Sequence, residues 1–247
     1  MRRLLPEPAA DITLPELMAE VRPFDEAGAD RPRVISNFVL SLDGRATFGG
    51  VSEQLGSQRD TEMLVGLRTR VDAVMIGAGT MRAESYGRVI GDPEKRKRRE
   101  REGLSPDPLM VIVSGRLHLP WDAPLFTEGH GRVLIATTSD AQPPELETPV
   151  EVLRQAGRLD LAALLERLRH QFGVRALLCE GGPHLHGELI DADLVDELFV
   201  THAAKLAGGS GPGLVAGLPE RVREVEIAWL LAESATGELF GRYRVAR

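Results

Sequence analysis

The sequence predicts an α/β fold with a mixed, mostly parallel central sheet, helices on both of its faces and antiparallel strands at the C-terminal end. Three observations predict it. Short apolar runs recur at residues 34–42, 72–77, 109–113, 133–137 and 176–179, several of them rich in β-branched residues, as interior parallel strands are. Helix-period segments lie between several of them, so that strand, crossover and strand repeat. After residue 194, three further strand-like runs (194–203, 222–231 and 238–245) follow with no helix-length pattern between them, which turns the end of the sheet antiparallel.

Composition bounds the function. A chain of 247 residues with 43% hydrophobic content can bury a sizeable core. We expect an N-terminal extension over 1–32, with five prolines and a short amphipathic piece at 14–21, followed by one domain over 33–247. No run of about 18 apolar residues exists to span a membrane, and no secretory leader is expected. Cys179 is the only cysteine, which excludes an internal disulfide and fits a reducing cytoplasm. A formal net charge of −7 argues against general nucleic-acid binding and leaves a small molecule as the default partner.

Each element has a local reason. The strand at 34–42 ends in Asp43-Gly44, a turn pair, and a polar, glycine-rich loop follows at 46–56. That loop reads equally as a ligand-contacting segment or an ordinary connection. Ser57 can cap the next helix, with Asp60 in its first turn and Met63, Leu64 and Leu67 on its apolar face. Arg68 and Arg70 suit that helix's C-terminal dipole. Strand 72–77 turns at Gly77-Ala78-Gly79-Thr80, and Met81 to Glu84 reads as the first turn of a helix. The basic run Lys95-Arg-Lys-Arg-Arg-Glu-Arg101 reads as a solvated, disordered surface loop. Residues 159–172 form a helix, with leucines at helical spacing and Gly173 to stop it. Strand 176–179 runs into Glu180-Gly181-Gly182-Pro183 and a helix from His184, with Pro183 suited to its first position.

The chemistry gathers at the two glycine turns. A strand that ends in glycine and opens into a helix presents free N–H groups, with the helix dipole behind them, as a phosphate site. Glycine is needed where a Cβ would stop a pyrophosphate from reaching the backbone. Two such turns can sit side by side at the carboxyl ends of the strands, which favours a dinucleotide site over either turn alone. The pattern Gly-x-Gly-x-x-Arg lacks the third glycine of the full dinucleotide fingerprint. No metal is expected: His184 and His186 lie two apart on a helix and share no face, and no cysteine or carboxylate cluster supports them. Cys179, inside an apolar strand, reads as core.

Ser41-Leu-Asp-Gly44, Gly77-Ala-Gly-Thr80 followed by Glu84, Glu180-Gly-Gly-Pro183, and 194–198 with Ala207-Gly-Gly209 occur in order. Together they resemble the pyrimidine reductase of riboflavin biosynthesis, in a stand-alone form without the zinc deaminase half. The resemblance implies a dihydrofolate-reductase-like three-layer α/β/α fold and a homodimer. It also implies NADPH-dependent reduction of 5-amino-6-(5-phosphoribosylamino)uracil, with hydride delivered to C1′ of the sugar imine. By family position, Gly77, Gly79, Thr80, Glu84, Ser114, Gly181, Gly182, Pro183, His184 and Leu185 line the cofactor, while Ser52, Arg68 and Glu180 meet the substrate. Glu84 is the expected catalytic acid, beside the iminium nitrogen. Arg116, just past Ser114, is a further candidate for the cofactor's 2′-phosphate. Asp43 is assigned mainly to its turn.

Three positions depart from the family. Glu84 stands where aspartate is common. Gln54 stands where some members place a tryptophan against the cofactor. Tyr86-Gly87-Arg88 replaces a longer motif whose arginine holds the substrate phosphate, so Arg88 is the candidate replacement. The last departure keeps two alternatives open: an NADPH-dependent reductase of dihydrofolate or another pteridine, and a non-catalytic nucleotide-binding protein.

Overall fold

The computed structural model describes residues 1–246. They form two compact units, each assembled from separate stretches of chain. The first unit comprises Met1–Arg22, Val34–Leu67 and Cys179–Arg247, and the second Pro23–Arg33 and Arg68–Leu178. The expected extension is therefore divided between them at residue 22.

The first unit holds β1 (Arg2–Leu5), β2 (Arg33–Leu40, from Val34), β8 (Glu197–His202), β9 (Val225–Ala232) and β10 (Leu239–Val245) in the order β1-β9-β10-β8-β2. β1/β9, β9/β10 and β10/β8 pair antiparallel, and β2 runs parallel to β8. The antiparallel ending is as the sequence predicts. β1 lies outside any predicted strand; four residues carry too little pattern to announce themselves. Its helices are α1 (Leu14–Glu20), α2 (Gln58–Arg68) and α7 (Pro183–Asp191). Thr13 and Glu16 close a reciprocal capping box at α1. α1 lies close against α2, because a Cβ on Gly66 would meet Met18 Sδ at 2.9 Å. Arg242 donates from Nε and Nη2 to the two oxygens of Glu197 at 2.7 and 2.9 Å, a buried ion pair joining β10 to β8.

The second unit holds β3 (Ala73–Gly77), β4 (Leu109–Val113), β5 (Val133–Thr137), β6 (Val150–Arg154) and β7 (Ala176–Cys179, to Leu178) in the order β7-β3-β4-β5-β6. β3/β4, β4/β5 and β5/β6 are parallel. Val74, Met75, Ile76, Val111, Ile112, Leu134 and Ile135 are fully buried, as interior strands require. Its helices are α3 (Ala78–Ala83), α4 (Pro93–Arg101), α5 (Pro124–Thr127) and α6 (Leu161–Phe172). α6 is capped by Asp160, whose carboxylate accepts from the Ala163 N–H at 3.0 Å. It ends at left-handed Gly173, with φ 67°.

The basic run is a correction: residues 93–101 are helical, not a disordered loop. Asp92 caps the first-turn amides of Glu94 and Lys95, Pro93 fills the opening position, and Lys, Arg and Glu are good helix formers. Arg99 anchors the helix from a fully buried position. It donates to the carbonyls of Ser105, Arg68 and Val71 at 2.8, 3.0 and 2.8 Å, and burial lowers its pKa to about 10.

Candidate active site

In the second unit the glycine turn after β3 sits beside the end of β4, since Gly77 pairs in register with Val113 and Ser114 follows directly. α3 begins within the turn, at Ala78, with Gly77 as its N-cap and no side chain covering its opening. A Cβ on Gly79 would meet nothing within 4 Å, so the space before it is open. Buried Ser114 donates its N–H to Ala136 O at 2.9 Å, and the carbonyl of the next residue, Gly115, accepts from Thr138 Oγ1 at 2.9 Å. Arg82 Nη1 donates to His118 O at 2.9 Å, tying the last turn of α3 to the 115–118 loop that carries exposed Arg116. Gly77, Gly79, Thr80, Glu84, Ser114 and Arg116 thus gather at one end of β3 and β4.

The position of Glu84 differs from the expectation that it lies inside the first turn of a helix. α3 starts at Ala78 and ends at Ala83, so Glu84 is its C-cap, extended at φ −119° and ψ 140°. A carboxylate is disfavoured by the dipole at a helix C-terminus, so helix stabilisation does not explain the residue.

Arg68 and Arg88 are placed differently. Arg68 Nη1 donates to Val89 O at 3.1 Å. Arg88 grips Asp107 through Nε, at 3.1 Å to both carboxylate oxygens, and through Nη2 at 2.6 Å. Asp107 precedes the first residue of β4, so Arg88 is held at the opposite end of that strand from Ser114. Two of its three guanidinium nitrogens are taken, leaving Nη1 for any phosphate.

In the first unit the second glycine corner opens α7. Gly181 has φ 115°, a conformation reserved for glycine, and Gly182 is the N-cap. Pro183 takes the first helical position, and no N-cap side chain answers the first-turn amides of His184 and Leu185. These donors have the chemistry that a phosphate requires. Cys179, just before the corner, is fully buried and its thiol is pushed up to about 12, in keeping with a core role.

His186, one turn into α7, is buried against the Phe38 ring, with centroids 4.4 Å apart. Its Nδ1 donates to Leu214 O at 3.1 Å, and desolvation lowers its pKa to about 4, so the ring is neutral.

Two features of this unit went unread in the sequence. Ser57 caps α2 as expected, its Oγ accepting from the N–H groups of Arg59 and Asp60 at 3.0 and 3.4 Å, but its own N–H and Oγ–H also donate to Glu238, which lies far along the chain. Asp60 turns inward to a hydrogen bond with Thr201. Desolvation, with a contribution from the Glu238 charge, raises its pKa to about 6, while Lys205 acts in the opposite direction. A Cβ on Gly56 would collide with the Asp60 carboxylate, so only glycine fits there. Asp43, assigned to its own turn, accepts from the N–H groups of Ala207 and Gly208 at 2.9 and 2.8 Å. Those bonds and one with Ser41 hold its pKa at about 2. The Ser52–Gln54 segment is tied down by Lys205 Nζ, which donates to Gln54 O at 2.8 Å. Among the described residues, no cluster of three or more His, Cys, Asp or Glu is arranged to hold a metal ion.

Comparison with known proteins agrees with this architecture. The chain is 33% identical over 184 residues to the 2,5-diamino-6-ribosylamino-4(3H)-pyrimidinone 5′-phosphate reductase of Archaeoglobus fulgidus, covering 72% of this chain and 83% of that one. A reductase of the same name from Methanothermobacter thermautotrophicus is 30% identical, over 72% of this chain and 81% of that one. The fold superposes on a pyrimidine reductase-like protein from Corynebacterium diphtheriae with a TM-score of 0.80 at 23% identity, covering 96% and 100% of the two chains. It also matches the riboflavin biosynthesis reductase Rib7 of Saccharomyces cerevisiae with a TM-score of 0.69 at 21% identity, over 94% and 99%. With the RibD C-terminal domain model matching residues 32–236, the chain belongs to that family of oxidoreductases.

Proposed function

We propose that the protein is an NADPH-dependent reductase of riboflavin biosynthesis that converts the ribosylamino side chain of a phosphorylated pyrimidine to ribitylamino. What supports this reading is the match of the RibD C-terminal domain to residues 32–236, together with two glycine corners that each open a helix with no N-cap side chain. NADPH, when bound, supplies the hydride that reduces C1′ of the open-chain sugar imine.

The chain supplies position and charge. Gly77, Gly79 and Thr80, with Gly181, Gly182, Pro183, His184 and Leu185, hold the diphosphate through backbone N–H groups where these are present. Ser114, Gln54 and Arg116 complete the cofactor contacts, Arg116 at the 2′-phosphate. Ser52, Arg68 and Glu180 orient the substrate, and Arg88 contributes only through Nη1. The Glu84 carboxyl faces the imine nitrogen, keeps it protonated and so makes C1′ a better hydride acceptor.

Two pyrimidines are candidates, differing at C2: the 2,5-diamino-pyrimidinone for which the relatives are named, and the deaminated uracil. A second reading, reduction of dihydrofolate or another non-phosphorylated pteridine, is favoured by one observation, the engagement of Arg88 by Asp107. Steady-state NADPH oxidation with all three substrates separates them. Turnover of a ribosylamino-pyrimidine phosphate supports the first reading, and turnover of dihydrofolate alone overturns it. Absence of NADPH binding by calorimetry overturns both.

No helix among the described residues is long and apolar enough to cross a membrane. We place the protein in the cytoplasm, where its one cysteine stays reduced. Exposed Val222, Val225 and Ile227, on and beside β9, support a homodimer, which sedimentation tests.

A further inference from the structure

Resting on the NADPH reading above, we propose that Asp43 is a positioning residue for the cofactor corner. Acting through a strap formed by residues 205–217, it sets where the first turn of α7 stands.

The strap is fastened at both ends within the first unit. At one end a seam of hydrogen bonds joins it to the turn after β2. Leu42 N–H donates to Lys205 O at 2.7 Å, and Asp43 accepts from the amides of Ala207 and Gly208. Arg45 Nη1 donates to Gly211 O at 2.8 Å, and Ala46 N–H to Pro212 O at 2.9 Å. The seam is closely packed at its glycines. A Cβ on Gly211 would stand 3.3 Å from Thr47 O, and one on Gly213 3.3 Å from Gly44 O.

At the other end the strap grips α7. His186 Nδ1 donates to Leu214 O, and Ala216 N–H donates to Pro183 O at 3.1 Å. The Ala216 carbonyl lies so close to Gly187 that no Cβ fits between them, and a Cβ on Gly217 would stand 3.3 Å from His184 Nδ1. The residues gripped, Pro183 and His184, belong to the proposed diphosphate cradle. Hydrogen bonds hold the strap to the β2 turn at Lys205, Ala207, Gly208, Gly211 and Pro212 and to α7 at Leu214 and Ala216, so displacement at the Asp43 end is transmitted along the short backbone between them to the corner. Asp43 is the charged member of the seam, and charge-assisted bonds to backbone amides are its strongest kind of link. Its side chain is exposed and lies outside the proposed cofactor and substrate positions.

The test uses the full chain. NADPH affinity is measured by calorimetry for wild type, Asp43→Asn, Asp43→Glu, Gly187→Ala and the Asp43→Asn/Gly187→Ala double variant, with kcat and KM for the pyrimidine substrate at saturating NADPH. Asp43→Asn and Gly187→Ala are each expected to raise the NADPH Kd at least fivefold, with kcat kept within threefold. The double variant should be no weaker than the worse single one, because both act through one strap. Asp43→Glu should recover part of the loss.

Wild-type affinity in Asp43→Asn, or a double variant whose loss is the product of the single losses, overturns the proposal. If Asp43→Asn does not fold, Arg45→Gln opens the same seam at Gly211 and carries the same expectation and the same refutation. Failure of the wild type to bind NADPH sinks the functional reading itself, whereas binding with no response to the seam variants sinks only the role of Asp43.

Discussion

Replacing Asp60 by asparagine removes a charge that the fold carries at a cost. Asp60 is packed against Gly56, bonded to Thr201 and flanked by Glu238 and Lys205, and its pKa rises from 3.8 to about 6. The folded state therefore holds the proton more tightly than the unfolded chain does. Stability from this group is full below about pH 4 and is lost as pH rises through 6. At roughly 1.4 kcal/mol per pH unit, the gap corresponds to about 3 kcal/mol above pH 7. Asparagine has the same shape, keeps a partner for Thr201 and carries no charge, but gives up the attraction to Lys205. We expect Asp60→Asn to match wild type at pH 4 and to be more stable by about 1–3 kcal/mol at pH 8. The assay is urea unfolding followed by Trp229 fluorescence, in a Trp121→Phe background so that only the first unit reports. The ionisation of His186 is common to both proteins and cancels in the difference. Equal differences at the two pH values, or a loss at pH 8, would refute the reasoning.

Three other outcomes follow from the same structure. Glu84→Ala should leave NADPH affinity within twofold but lower turnover at least tenfold, about 1.4 kcal/mol of barrier, and unchanged turnover removes Glu84 from the mechanism. The pKa of His186 is lowered to about 4, so its contribution to stability is present above pH 6.5 and lost as pH falls from there toward 4. His186→Gln should reduce the acid-induced loss of stability over that window by up to about 3 kcal/mol, read as a flatter dependence of the unfolding midpoint on pH. Arg242→Ala removes the two-pronged ion-pair partner of the Glu197 carboxylate, which is 1% exposed, and should destabilise the first unit by about 3–5 kcal/mol, while replacing both residues by apolar ones should recover much of that loss. Calorimetric melting of the single and double variants decides it.

Local patterns made much of the fold legible. The buried strands announce themselves as short apolar runs, and β3, β4, β5 and β7 fall where those runs lie. α6 follows from its leucine spacing and Gly173, and the second glycine corner from Gly182-Pro183 before α7. The basic run shows how one strong signal masks another: its charge suggested a solvated loop, while Asp92-Pro93 and a row of helix formers specified α4.

Tertiary structure decided the rest, because local rules reach only a few residues. Whether Glu84 stands inside a helix or at its end depends on α3 beginning at Ala78, which the packing of the glycine turn beside β4 sets. Ser57 caps α2 as its position suggests, but the Glu238 carboxylate it donates to lies 181 residues away, and only the folded chain brings that charge and Thr201 to Asp60. Asp43 looks like half of a turn until the chain returns at Ala207, and Arg88 looks free until Asp107 closes on it. The sequence by itself determined which residue types and which corners were on offer. Burial and charge pairing between distant segments determined which groups were consumed in holding the fold, since both depend on distances that exist only after the chain has folded.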